Sequence, residues 1–397
     1  MREPPRRSSA GLRRFAGPEA DELTILCRPE VPSSLEPAVA AEAAYRLLAT
    51  RLVDEQASFR DVTAETIFVR DIGRDLPQVL DVRARVLAEF GRDADAPAPA
   101  FIGQAPLTGG ALEIAATAVV PHRRDAWEVR DVAAESSCRC PGCARSAARV
   151  VRLGEQTSLY SSNIYGTGDD AFTQVLAMFD AAERLLAGCG MGFGDVIRTW
   201  IHLRDIDRDY DALNRARREF FRRRGLDLRP ASTGVQGAPF PDMHDVSLCL
   251  QAVRSPRRLT VVRMSTPTLN EAWSYGADFS RGLRVVGVNK VALHVSGTAS
   301  IDEAGRTVHL GDVAAQGERM LRNIETLLAG QGASFADLVS AVLYVKRPAD
   351  APVLRELCRR RGFDGFPYAL VEAPLCRPEL LCEAEAFAVL PLARVQA

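Results

Sequence analysis

The sequence predicts an α+β fold of three tandem repeats, each a β-sheet covered by helices. Two observations predict it: a helix–strand block recurs at offsets of 134 and 142 residues, and a block around an Ala-Pro-[Leu/Phe] turn recurs at offsets of 133 and 135 residues. Repetition at a fixed period indicates an array in which each repeat buries part of its surface against the next. The 397 residues accommodate three such repeats.

The first block joins an amphipathic helix to a strand. LLAGCGMGFGDVIRTWIHLRDI begins at Leu185, LLAGQGASFADLVSAVLYVKR begins at Leu327, and a more diverged copy, FRDVTAETIFVRDI, begins at Phe59. Apolar residues recur at helical spacing before each of the two closer copies. VIRTWIHL and LVSAVLYV are rich in apolar and β-branched residues, as strands are.

The second block is a turn followed by the last strand of each repeat. The turns begin at Ala105, Ala238 and Ala373. In the last copy, ELLCEAEAFAVL alternates, which puts Glu383 and Glu385 on one face of a strand. Each repeat therefore reads as helix, strand, helix, turn and strand. The helices cover one face of the sheet and neighbouring repeats cover the other.

Domain boundaries follow from these blocks. We predict a disordered Arg-rich tail over 1–24, repeats over 25–135, 151–256 and 257–397, and a Cys-rich connection over 136–150. The connection holds Cys138, Cys140 and Cys143 without a nearby fourth ligand, which favours a surface connection over a zinc site.

Composition narrows the class of protein. The chain has 50 basic and 51 acidic residues, which argues against nucleic-acid binding, and it has no apolar run of membrane-spanning length. The N-terminal segment lacks the apolar region of a secretory signal, so we expect a cytoplasmic protein. The five histidines show no metal-ligand pattern, and Lys290 and Lys346, the sole lysines, lie in no cofactor motif. We expect neither a metal nor a cofactor.

The motifs resemble a known superfamily. The helix–strand blocks, the GTASI segment (297–301) and the C-R-P-E-L-L-x-E-x-E strand are similar to the YjgF/RidA superfamily, whose chorismate-mutase-like units form trimers with small-molecule sites between subunits. Three copies in one chain then imply an intrachain pseudo-trimer, and we expect a monomer. A closer resemblance, covering nearly the whole chain beyond residue 25, is to the chorismatase family, which cleaves the enolpyruvyl ether of chorismate.

This resemblance implies chorismate as the small-molecule substrate. The expected reaction gives 3-hydroxybenzoate and pyruvate, supplying a starter unit for secondary metabolism. An alternative is hydrolysis to 3,4-dihydroxycyclohexa-1,5-diene-1-carboxylate and pyruvate. Further alternatives are a RidA-like imine deaminase and a non-catalytic pseudo-trimer that binds a ligand.

Glu383 is the predicted catalytic acid. Cleavage of a vinyl ether needs a proton donor at the methylene carbon, and apolar strand neighbours would raise the pKa of this carboxyl. Aligning the final strands puts Ala115 and Cys249 in its place in the other repeats, so the carboxylate is expected in the third repeat alone. The resemblance also puts the catalytic glutamate in this strand, with Glu385 as its rival on the same face.

Cys376 is predicted to decide the product. It lies seven positions before Glu383. The resemblance implies that the aromatising branch carries cysteine here and that the hydrolytic branch tends to carry alanine. A packing role for Cys376 is the alternative.

Arginine is expected to bind the two carboxylates of chorismate, because its planar guanidinium forms paired hydrogen bonds. The resemblance implies that Arg377 is such a residue and that small residues shape the pocket floor. It places the site at the junction of repeats two and three. The implied substrate-binding residues are Tyr210, Arg217, Tyr275, Arg281, Arg377, Gly297 and Ala299.

Overall fold

The computed structural model describes residues 8–9, 11–29, 36–91, 97–133, 146–257 and 259–395. Within these ranges the chain forms three six-stranded sheets, and two α-helices accompany each sheet. This confirms the predicted α+β fold of three tandem repeats. Among the helices in these ranges, none has the length and apolar character needed to cross a bilayer.

Repeat one contains two N-terminal strands that the sequence analysis did not predict. Its strand order is β1-β2-β3-β6-β4-β5, with β4 and β5 parallel. The elements are β1 (Ser8–Ser9), β2 (Leu12–Ala16), β3 (Ala20–Cys27), α1 (Pro37–Asp54), β4 (Val62–Val69), α2 (Ile72–Glu89), β5 (Pro99–Gly103) and β6 (Leu112–Pro121).

Repeat two has the same order, β7-β8-β9-β12-β10-β11. Its helix α4 begins at the N-cap Asp205, whose carboxylate accepts from the Arg208 N–H, and ends at Gly225 in the left-handed conformation. The elements are β7 (Trp127–Ala133), β8 (Ser146–Leu153), β9 (Gln156–Ser161), α3 (Ala171–Gly188), β10 (Val196–Leu203), α4 (Ile206–Arg224), β11 (Ala231–Gln236) and β12 (Val246–Arg254).

Repeat three follows the order β13-β14-β15-β18-β16-β17. Its last strand, β18, lies between β15 and β16, so both of its edges are hydrogen-bonded. The elements are β13 (Thr260–Arg263), β14 (Gly282–Val286), β15 (Val291–Ala299), α5 (Val313–Ala329), β16 (Leu338–Val345), α6 (Ala351–Arg361), β17 (Tyr368–Glu372) and β18 (Cys382–Leu390).

The three repeats close into a ring. Isolated β-bridges join Gly103 to Ala238, Ala231 to Ser280, and Pro106 to Val371, so each repeat touches both others. Apolar cores lie between each sheet and its helices. The opposite faces of all three sheets surround a central cavity of about 210 Å³. The predicted pseudo-trimer is thus built by one chain.

The predicted boundaries are wrong at two places. Residues 12–16 and 20–24, within the predicted disordered tail, belong to strands β2 and β3, because Leu23 is buried in the core and Arg14 pairs with Asp21 and Glu55. Residues 127–133, assigned to repeat one, pair with β8 of repeat two. The cysteines of the predicted connection lie outside the described residues.

Leu23→Ala tests whether the N-terminal segment is part of the core. Leu23 is 1% exposed, so we expect truncation to lower the free energy of unfolding by about 2–4 kcal/mol. Urea unfolding measures the change. The matched control is Leu310→Ala, at a leucine that is 68% exposed, where little change is expected. Equal midpoints for both variants would show that this strand does not contribute to the fold.

Candidate active site

Glu383 lies at the junction of repeats two and three, near the start of β18. It pairs across the sheet with Tyr344 on β16 and with Ala299 on β15. The residue is 5% exposed. Burial raises the pKa of Glu383 to about 8, and the negative charge of Glu385 adds to the rise; Arg281, Arg198 and Arg377 oppose it. The carboxyl group is therefore mostly protonated at neutral pH.

Glu385, the predicted rival, is committed to a structural network. Its carboxylate accepts from Arg198 Nη2 at 2.8 Å, from Trp200 Nε1 at 2.7 Å and from the Tyr344 hydroxyl at 3.1 Å. Arg198 and Trp200 belong to β10, so this network ties repeat two to repeat three. A carboxyl group whose oxygens already accept from three donors is poorly placed to reach a substrate.

The backbone at Gly297 makes room for the acid. A methyl group at Gly297 would collide with Oε1 of Glu383. The Gly297 N–H donates to Thr233 Oγ1 at 3.0 Å, and Arg198 Nη2 donates to the same oxygen at 2.6 Å. Thr233 Oγ1 thus accepts one hydrogen bond from each repeat and joins β11 to the end of β15. Ala299, the other predicted floor residue, is buried opposite Glu383.

Cys376 lies between the two repeats. Its side chain packs against the cores of both, and its sulfur is hydrogen-bonded to the hydroxyl of Tyr210 on α4. Burial raises the pKa of the Cys376 thiol to about 12, with a further rise from Glu383. The thiol is therefore neutral. The structure places Cys376, Tyr210 and Glu383 at one junction.

Two buried arginines flank one aromatic ring. The guanidinium carbons of Arg217 and Arg281 lie 5.4 and 5.7 Å from the centre of the Phe279 ring. Arg217 Nη2 donates to Asn214 Oδ1 at 2.6 Å, and Arg281 Nε donates to the Asn270 carbonyl at 2.8 Å. These bonds fix both side chains, one from each repeat, in a water-poor setting.

Arg377 is more exposed than these two. Its Nη1 donates to the Gly305 carbonyl at 2.8 Å and to Thr307 Oγ1 at 3.3 Å. Its charge lowers the pKa of Glu383, so it acts on the same site. Tyr275 ends a short helical turn, but its side chain lies outside the described part of the chain.

Several site residues were not predicted. Ser232 and Thr233 come from β11, a short polar strand that the sequence pattern does not distinguish from a loop. Ser232 accepts from Thr199 Oγ1 at 2.9 Å, and Ser296 Oγ accepts from the Ser232 N–H at 2.9 Å. Phe279, which lies two positions before the candidate Arg281, was not predicted either. An aromatic residue two positions from a candidate arginine was the available signal.

The strand register corrects the predicted alignment. Tyr344, Phe68 and His202 are each the seventh residue of their eight-residue strand, and they pair with Glu383, Glu113 and Ser247, respectively. The counterparts of Glu383 are therefore Glu113 and Ser247, not Ala115 and Cys249. Loop length explains the error. The position equivalent to Glu383 follows the turn proline at an offset of seven residues in repeat one, eight in repeat two and nine in repeat three.

Comparisons with known proteins bear on this arrangement. Residues 275–390 match the sequence model of the Endoribonuclease L-PSP family. A 3-hydroxybenzoate synthase of Streptomyces hygroscopicus is 28% identical over 236 residues, which cover 53% of this chain and 66% of the relative. A chorismatase of Streptomyces rapamycinicus is 29% identical over 225 residues, which cover 49% and 64%. A crystal structure of a chorismatase matches with a TM-score of 0.62 at 17% identity, covering 93% of this chain and 99% of that one.

The fold and these matches define the class. The chain has a YjgF-like fold in which one polypeptide supplies three repeats. Within that class it is a chorismatase-like protein, which confirms the resemblance stated from the sequence. The matched segments span slightly less than two thirds of the two Streptomyces relatives' own lengths.

Glu383→Gln tests the raised pKa. Because folding lifts this pKa from its unfolded value, near 4.3, to about 8, unfolding releases a proton between these limits, and the wild type loses stability as the pH rises through that window. The side chain of glutamine does not titrate in this pH range. We expect the stability of the variant relative to wild type to increase by about 4 kcal/mol from pH 4 to pH 9.

Urea unfolding at a series of pH values measures this difference. Glu379→Gln, at an exposed glutamate in the preceding loop, is the control and should follow the wild type at every pH. If the free energy of unfolding of Glu383→Gln changed with pH in parallel with that of the wild type, the raised pKa would be contradicted.

Proposed function

We propose that this protein is an enzyme that converts chorismate to 3-hydroxybenzoate and pyruvate, with Glu383 as the proton donor. The observation that carries the proposal is a buried carboxylic acid whose pKa is about 8, placed among arginines contributed by two repeats. The similarity to a 3-hydroxybenzoate synthase and to a chorismatase supports the choice of substrate.

The arginines suit a dianion with a compact, partly apolar body. Arg217 and Arg281 are held by neighbouring amides and carbonyls, so little side-chain entropy is lost when a carboxylate binds. The Phe279 ring, which both guanidinium groups contact, offers an apolar surface. Arg377 supplies a third positive charge at the more exposed side. We assign these three residues, with Tyr210 and Tyr275, to substrate binding.

Glu383 then delivers a proton to the enolpyruvyl methylene carbon. Protonation converts the vinyl ether to an oxocarbenium ion and leaves Glu383 as a carboxylate, whose charge the nearby arginines stabilise. Water can capture this ion, after which the adduct collapses to pyruvate and a ring alcohol. Capture by the hydroxyl of the substrate leads instead to the aromatic product. 3-Hydroxybenzoate and pyruvate together contain the atoms of chorismate, so the aromatising route consumes no net water.

We assign Cys376 the role of favouring the aromatising route. Its neutral thiol is hydrogen-bonded to Tyr210, is close enough to Glu383 for the charge of that residue to raise the thiol pKa, and packs against the apolar cores of both repeats. It acts here by volume and by its hydrogen bond to Tyr210, not as a nucleophile, because a buried thiol with a pKa near 12 is a poor source of thiolate.

Incubation of the purified protein with chorismate tests the reaction. We expect equal amounts of 3-hydroxybenzoate and pyruvate, measured by chromatography and by a coupled pyruvate assay. Glu383→Gln should lower kcat by roughly 10²–10⁴-fold, because it removes the proton donor. Glu379→Gln is the control with unchanged turnover. Full activity of Glu383→Gln would refute the assignment of the acid.

The product identifies the alternatives. The dihydroxy diene would assign the protein to the hydrolytic branch. Ammonia release from 2-aminoacrylate without chorismate turnover would indicate an imine deaminase. Binding of chorismate without pyruvate release would indicate a non-catalytic binding protein.

Cys376→Ala tests the control of the product. Removing the sulfur opens space beside Glu383, and we expect the fraction of hydrolytic product to rise at least several-fold while pyruvate release continues. Chromatography of both ring products measures the ratio. Cys358→Ala, at a cysteine buried in the core of repeat three, controls for a general loss of packing. An unchanged ratio in Cys376→Ala would limit Cys376 to packing.

A further inference from the structure

The junction of repeats three and one contains a second buried carboxyl. Glu113 on β6 pairs with Phe68, as Glu383 on β18 pairs with Tyr344. Its side chain is 1% exposed. Burial raises the pKa of Glu113, although Arg28 and Thr108 oppose the shift. Two of the three repeats therefore carry a glutamate at the strand position that Glu383 has in repeat three.

An arginine fills the space opposite this carboxyl. The β3–β6 pairing ends at Cys27 and Ile114, so the next residue, Arg28, lies opposite Glu113. In repeat three the residue paired with Glu383 is Ala299. Arg28 Nε donates to Glu113 Oε1 at 3.1 Å. The residue beside Glu383 is therefore an alanine, whereas the residue beside Glu113 is an arginine.

Arg28 also reaches across the junction. Its Nη2 donates to the carbonyl of Tyr368 on β17, and its guanidinium carbon lies 5.4 Å from the centre of the Tyr368 ring. Tyr368 pairs with the fourth residue of β16, and Ser232 pairs with the fourth residue of β10. Arg28 therefore contacts the register counterpart of Ser232, a residue at the Glu383 site.

The carboxyl group of Glu113 has spare hydrogen-bonding capacity. Arg28 and the Thr108 hydroxyl both donate to Oε1, whereas the buried Oε2 has no hydrogen-bond partner among the described residues. The Arg28 side chain is 30% exposed, so this arginine reaches the buried carboxyl from the solvent side. Removal of the Arg28 side chain would therefore leave space beside a buried acid whose second oxygen has no partner among the described residues.

We propose that the junction of repeats three and one is a second acid-containing pocket, built on the same register as the Glu383 site, and that Arg28 occupies it in place of a ligand. Without this side chain, the pocket accepts a small guanidinium-type cation between Glu113 and Tyr368. The remaining junction differs: Ser247 takes the acid's place, and the Asn163 amide bonds to the backbone N–H and carbonyl of Phe101. The proposal does not depend on the reaction assigned to Glu383.

Arg28→Ala and the guanidinium ion test the proposal. The variant leaves a buried acid without its cation, so we expect its Tm to fall by about 5 °C or more. Millimolar guanidinium chloride should then raise the Tm saturably, relative to equal sodium chloride, and calorimetry should show one site per chain. Wild-type protein should only be destabilised by the same salt, because guanidinium is a denaturant.

Two matched variants separate the pocket from general effects. Arg28→Met removes the charge but fills the space, and Arg28→Ala combined with Glu113→Gln opens the space but removes the acid; neither should be stabilised by guanidinium. If Arg28→Ala folds only with guanidinium present, the proposal is supported. It is overturned if Arg28→Ala gains no stability from guanidinium, if it fails to fold in either salt, or if the control variants respond equally.

Discussion

The buried ion pair between Arg198 and Glu385 is the interaction on which the site at the junction of repeats two and three depends. Charges removed from water need partners, and here each has them: Glu385 receives bonds from Arg198, Trp200 and Tyr344, and Arg198 also donates to Thr233. The pair crosses from β10 to β18 and so sets the distance between two sheets. Burial, together with the negative charge of Glu385 two residues later on the same face, keeps the pKa of Glu383 high.

Local periodicity predicted much of the fold. The helices and β10, β16 and β18 carry regular apolar patterns, and Glu383 and Cys376 lie in a motif that can be read directly. The segment over residues 12–24 was wrongly predicted to be disordered because its charges obscure alternating strands whose apolar side chains enter the core. Thr233 could not be predicted, since its role comes from bonds to Arg198 and Gly297, 35 and 64 residues away along the chain.

The alignment of the final strands of the three repeats was the other feature that the sequence could not predict. Turn motifs align the repeats only up to the turn, because the loops that follow differ in length. An alignment by the turn motif therefore fails to match Glu113 with Glu383. Hydrogen-bonded partners across the sheet do not have this ambiguity, because a shift of one residue would turn every side chain to the opposite face. The three junctions therefore share one strand register but carry different residues at the equivalent position: an acid beside a small residue, an acid beside an arginine, and a serine.

The covalent ring described for this chain also changes how it can vary. In a trimer of identical subunits, each substitution appears at all three interfaces together, so a change that improves one contact is imposed on the others. Here the loop before β18 and the residue opposite each acid are encoded once per junction. A mutation at Ala299 leaves position 28 untouched. One interface can therefore be altered for chemistry while another, such as that held by Arg28 and Glu113, continues to contribute rigidity.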